Sequence, residues 1–263
     1  MSSTDIADRH IDARPLPRLG GLNLTLLRLE LRRTFRNRHT LAFTLVLPAA
    51  LFLSFGGTEG WQRDVGNGNV AAYIMVSMAL YGASLTAAAG GAMVAMERAI
   101  GWSRQLRLTP LRPAAYIVVR ALMALVLGAV AIAVVNLTGV VQGKPSMDVD
   151  VWLACAAMTL VCTAVFAALG VLVGFLVPGE NAMQVLGPGL AILSFLGNVF
   201  LPITEGTTLY RVAEWTPMFG VAEISRWPLT DDLAWTAVLN ATTWFVLFVA
   251  GAAWLMGRDT GRV

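Results

Sequence analysis

Residues 96–113 read MERAIGWSRQLRLTPLRP, a short basic stretch held between two long apolar runs. No charged side chain occurs from position 65 to position 96, and Arg120 alone is charged between positions 113 and 142. The stretch is half-amphipathic, too polar for lipid and too short for a domain. It is therefore expected on a membrane surface, within reach of a soluble partner. The runs on either side decide the fold class: an all-α polytopic membrane protein.

Composition supports this outward from the stretch. Of 263 residues, 57% are hydrophobic and 13% charged, against about 25% charged in ordinary soluble domains. One soluble core cannot hide that much apolar surface. About 20 apolar residues span a bilayer as a helix, and six segments qualify: about 40–55, 70–96, 113–137, 151–177, 181–201 and 233–257. Pro48 and Pro188 fall inside the first and fifth. Prolines are tolerated where neighbouring helices re-satisfy the freed carbonyls, so both are expected to lie within helices rather than end them.

Arginine placement orients the spans. Arg9, Arg14, Arg18, Arg28, Arg32, Arg33, Arg36 and Arg38 precede the first span, and Arg98, Arg104, Arg107 and Arg112 follow the second. Arg258 and Arg262 follow the last, whereas the opposite loops hold only Arg63, Lys144, Arg211 and Arg226. Both termini are thus expected in the cytoplasm of a multi-pass protein of the cell membrane. Arg120, near one end of its span, is expected to snorkel to the cytoplasmic surface. Residues 1–21, polar and proline-containing without an apolar h-region, are expected to form a disordered cytoplasmic tail rather than a signal peptide. Residues 22–257 form the transmembrane domain, and 258–263 a cytoplasmic C-terminus.

Two further segments are amphipathic. Residues 22–39, LNLTLLRLELRRTFRNRH, set leucines and Phe35 against a basic remainder. They read as an interfacial helix on an anionic leaflet, or else as a plain topogenic arginine cluster. Residues 202–232 alternate apolar and charged residues between Pro202, Pro217 and Pro228. They read as short re-entrant helices that dip into the outer leaflet or cap the bundle, or else as an ordinary extracellular loop. Cys155 and Cys162 are two helical turns apart on one face, about 10 Å along the axis, too far to bridge. Gly170 and Gly174 form a GxxxG that suits close helix approach, either to a second chain or within this one.

No phosphate-binding GxxxxGK[ST], HExxH or GxSxG occurs, and His10 and His39 stand alone, so neither a catalytic centre nor a metal site is indicated. No carboxylate sits near a span midplane, where an ion-coupled pump would place one. Uphill transport would therefore draw its energy from another protein.

The chain resembles the permease subunits of ABC-2 type (type-2 ABC exporter) transporters. The residues that carry the resemblance are Glu97, Arg98 and Gly101, then Leu106, with Thr109 and Pro110 closing the segment. They are similar to the family pattern E-R/K-x-x-G-x-x-x-x-L followed by T-P after the second span. Trp102 stands where Thr is commoner, and Arg104 and Gln105 replace an acidic or apolar pair, which suggests a subgroup variant. The resemblance implies that Glu97, Arg98, Gly101, Trp102, Leu106, Arg107, Thr109 and Pro110 form a coupling helix. That helix would dock on a separate ATPase subunit, which would bind ATP and Mg; this chain itself needs no cofactor. It further implies a dimer with a second permease copy, identical or a related paralogue. The second and fifth spans would line the path, offering Met75, Met78 and Tyr81, then Phe195 and Asn198. Such a greasy, adaptable lining suits a hydrophobic or amphipathic, drug-like or lipid-like substrate, as in multidrug efflux. Membrane lipids are the other expected partners, and nucleic acid is not. Two alternatives are carried: a cell-wall polysaccharide or polymer exporter of the same superfamily, and a non-transporting membrane sensor or assembly partner of an ATPase.

Overall fold

A computed structural model describes residue 32 and residues 38–55, 60–99, 113–177, 181–201, 203–204 and 206–260. These form eight helices and one short hairpin: α1 (Arg38–Phe55), β1 (Asp64–Val65), β2 (Gly68–Asn69), α2 (Val70–Ala99), α3 (Pro113–Gln142), α4 (Val149–Leu176), α5 (Asn181–Leu196), α6 (Thr208–Ala213), α7 (Pro217–Thr230) and α8 (Trp235–Thr260). Among the described residues, four stretches are long and apolar enough to cross a membrane: Val70–Met96, Val118–Gln142, Val149–Leu176 and Trp235–Arg258. Two shorter apolar stretches, Leu45–Phe55 and Asn181–Leu196, accompany them. Both α1 and α5 continue through their prolines, Pro48 and Pro188. α5 ends at Leu196, short of the expected 201, because Asn198 adopts the left-handed conformation, with φ 60°.

α2 is the centre of the bundle: 83% of its apolar window is buried, against 17% for α8. Its sequence explains the difference. Gly82, Ala83, Ala87, Ala88, Gly90, Gly91 and Ala92 give it small faces on several sides, and small residues let neighbouring backbones approach closely. Gly82 lies under Pro48 of α1, and Gly90 lies against Ala124 of α3. On α4, Gly170 rests on Ala88 and Gly174 on Ala92. The GxxxG of α4 is therefore used inside this chain. Cys155 and Cys162 both remain free thiols, buried on the inner face of α4.

The antiparallel register of α2 and α3 follows from two contacts. Gly139 sits against the Met75 sulfur, and Gly90 against Ala124. Equal steps along the two helices separate these contacts, so Ala99 and Pro113 come to the same end of the pair.

The opposite end is fastened by loops. Gly66, at the first central position of the hairpin turn, has φ 54°, a conformation that glycine adopts freely. A Cβ there would strike the Leu229 carbonyl. Asn67 donates its backbone N–H to the Leu229 carbonyl at 2.7 Å and its side-chain Nδ2 to the Pro228 carbonyl at 3.2 Å. Asn69 is buried and caps α2, accepting from the Ala72 N–H at 2.9 Å. The same oxygen accepts from the Ser146 N–H at 3.0 Å, and Asn69 Nδ2 donates to the Lys144 carbonyl at 2.9 Å. One side chain thus joins the start of α2 to the α3–α4 turn.

Within 206–232 the chain forms two helices, α6 and α7. The Thr207 hydroxyl caps α6 by accepting from the Tyr210 N–H. Thr216 caps α7 by accepting from the Phe219 N–H, Pro217 occupies its first turn, and left-handed Asp231 ends it. Pro at the first helical position costs no bond, because that N–H has no intrahelical partner. α7 packs into the bundle with Met218, Val221, Ala222, Ser225 and Leu229 buried. α8 fastens the link that leads into it: Asn240 Nδ2 donates to the Glu214 carbonyl, and Trp244 Nε1 to the Trp215 carbonyl.

Candidate functional site

Two regions bear on function. The first is the segment joining α2 to α3. Glu97 and Arg98 belong to the last turn of α2. Gly101, Trp102, Leu106, Arg107, Thr109 and Pro110 lie outside the described residues, as does the amphipathic stretch 22–39 apart from residue 32 and the two residues that open α1. The frame around the segment is nevertheless defined, because the α2–α3 register brings both of its attachment points to one end of the bundle. Arg120, one turn from Ala124 toward that end, is only 2% exposed. It is enclosed by the bundle, where snorkelling to the surface was expected.

The second region lies at the other end, between α2, α7 and the turn that follows α5. Tyr81 is buried on α2 and meets Phe200 edge to face at 4.8 Å between ring centroids. Phe200 meets half-exposed Phe195 in the same geometry at 4.8 Å. The predicted path residues Tyr81, Phe195 and Asn198 are thus gathered around the end of α5. Met75 and Met78 are buried in a cluster with Phe52, Trp61 and Val135, which packs α2 against α1 and α3.

Beside this aromatic ladder is a residue that the sequence reading counted only as a loop charge. Arg226 of α7 is 1% exposed. Its Nη1 donates to the Asn198 carbonyl at 2.7 Å and to the Ser77 hydroxyl at 3.3 Å. Its Nη2 donates to Glu223 Oε1 at 2.6 Å, and the guanidinium stands over the Tyr73 ring at 4.5 Å. Arg226 Nε makes no hydrogen bond. Burying a charge without a partner costs about 3–5 kcal/mol. Here a carboxylate, a carbonyl, a hydroxyl and an aromatic face offset that cost. A sequence signal existed: Arg226 lies four residues from Ala222 and three from Leu229, on the apolar stripe of α7 rather than opposite it.

The bundle of long apolar helices defines a multi-helix membrane protein. Residues 22–229 match the ABC-2 type transporter family, and the chain belongs to that family. Members of the family are transport subunits that work with an ATPase subunit and are not themselves the ATPase. The chain is also 23% identical over 232 residues to a protein of Bacillus subtilis (strain 168) named "Putative transport permease YvfS". That similarity covers 84% of this chain and 91% of the relative.

Proposed function

We propose that this protein is the permease of an ATP-driven exporter that moves a hydrophobic or amphipathic, drug-like or lipid-like substrate out of the cell. In this reading α1 and α5 join the four longer helices as spans; an even number leaves both termini on one side, and the arginine asymmetry makes that side the cytoplasm of a cell-membrane protein. Two permease copies, identical or related, work with ATPase subunits that bind ATP and Mg.

In this reading the segment that continues from Glu97 and Arg98 at the end of α2, up to Pro110, is the coupling helix. Trp102 and Leu106, four apart, share one face and anchor in a groove of the ATPase, while Arg98, Arg104 and Arg107 meet carboxylates at its rim. Thr109 precedes Pro110 and leaves the helical conformation, which ends the helix. ATP-driven closure of the ATPase subunits shifts these helices, and alternating access follows as the paired permeases separate at their outer ends. The path runs between α2 and α5, past Tyr81, Phe195 and Asn198.

What supports this reading is that the α2–α3 register sets Ala99 and Pro113, the two ends of the connection, at one end of the bundle, and that the sequence between them resembles the family's motif. The test is ATP-dependent uptake of a lipophilic dye into inverted vesicles that contain the complex. Trp102→Ala with Leu106→Ala should lower uptake about tenfold or more, as the loss of anchoring residues does, with the protein still folded and membrane-inserted. Undiminished uptake in that variant would overturn the coupling assignment.

A further inference from the structure

Arg226 joins three elements that are far apart in the chain. Its own helix α7 contributes Glu223, the turn after α5 contributes the Asn198 carbonyl, and α2 contributes Ser77 and the Tyr73 ring. Two of these, α2 and the α5 turn, flank the region assigned above to the path. The α5 turn carries a feature that such a contact would brace. The α5 turn depends on Asn198 holding φ 60°, a conformation uncommon for residues other than glycine. The Asn198 side chain is already engaged, accepting from the Ile203 N–H at 2.8 Å, so its carbonyl is free to take the guanidinium. The planar fork of donors lets this one side chain reach a carbonyl, a hydroxyl and a carboxylate together.

We propose that Arg226 is the residue that holds the end of the bundle opposite the coupling segment closed, by clamping the α5 turn to α2. This role rests on the transport reading, because a closed end has a purpose only if it opens in turnover. Glu223 is the mobile member of the clamp. Its side chain is 27% exposed, whereas Arg226 is 1% exposed, so the carboxylate can exchange to solvent while the arginine stays within. The unpaired Nε gives the guanidinium a spare donor during such an exchange. Opening then requires the Arg226–Asn198 bond to break, which frees the Tyr81–Phe200 ring contact to part with it.

The test places a reporter thiol beside the clamp. Val199 is buried next to Asn198, and Val199→Cys is a small change. In a background of Cys155→Ala and Cys162→Ala, a membrane-impermeant thiol reagent is added to the full chain in right-side-out vesicles without nucleotide. The Val199→Cys protein should label slowly. Adding Arg226→Gln should raise the rate about tenfold or more, the effect of losing a charge-assisted bond. Arg226→Lys, which keeps the charge but not the fork, should fall between. Parent-level labelling in the folded Arg226→Gln protein would overturn the proposal. If that variant fails to accumulate, Arg226→Lys decides alone: faster labelling supports the clamp and parent-level labelling refutes it. A separate arm adds ATP to the complex with its ATPase. A parent rate indifferent to ATP, together with a fast Arg226→Gln, would sink the transport reading and leave the clamp standing. A parent rate that responds to ATP, with Arg226→Gln at the parent level, would do the reverse.

Discussion

The backbone of Gly170 in α4 lies directly on Ala88 in α2, leaving no room for a Cβ between them. Gly91 repeats the relationship from the other side, against Ala167 and Val171. These contacts make α2 and α4 the tightest pair in the bundle, and the remaining helices are arranged around them. Gly170→Val must push the helices apart. It should destabilise the protein by about 1–3 kcal/mol or more, the usual range for overpacking, read as a lower melting temperature in detergent. Gly187→Ala in α5, which has open space around it, should leave the melting temperature unchanged or slightly raised.

Asn69 tests the other kind of constraint, a polar side chain that bridges loops. Asn69→Ala removes the α2 cap and both bonds to the 144–146 turn. It should cost about 2 kcal/mol, combining a lost cap with buried groups left unsatisfied. Asn69→Asp retains the acceptor for Ala72 and Ser146 but loses the donor to Lys144, and its loss should be smaller. Thermal unfolding of the two variants side by side checks the order; equal losses would show that the cap bond is unimportant.

Phe200 ties Tyr81 to Phe195 through two edge-to-face contacts. Phe200 is only partly buried, so Phe200→Ala should lower stability by about 1–3 kcal/mol, less than the truncation of a fully buried aromatic. Phe200→Leu keeps most of the volume and should cost less. If the aromatic ladder borders the path, Phe200→Leu should also shift the relative transport of flat aromatic and aliphatic dyes, measured in vesicles. An unchanged dye preference would assign the ladder to packing alone.

The parts of the fold legible in the sequence are those whose physics is local. Long apolar runs announced α2, α3, α4 and α8, and the motif after the second span announced the family. Prolines 48 and 188 read correctly as internal because bundled helices tolerate them. What escaped reading depends on distant partners. Arg226 looks like one more charge in a proline-divided segment until Ser77, 149 residues away, and Asn198 are brought to it. Asn69 is an ordinary turn residue until the 144–146 loop arrives. Arg120 looked able to snorkel because periodicity does not say which face of α3 meets α2. The fifth helix stopped early for a reason equally hidden: Asn198 turns left-handed where Arg226 captures its carbonyl.

Contact between the segment 97–110 and an ATPase is read out by site-specific photo-crosslinking in native membranes. A photoreactive amino acid in place of Trp102 should capture a protein carrying a GxxxxGK[ST] phosphate loop, identified by mass spectrometry. The same label in place of Val141, exposed at the opposite end of α3, should capture none. An ATPase captured equally from both positions, or from neither, would contradict the account.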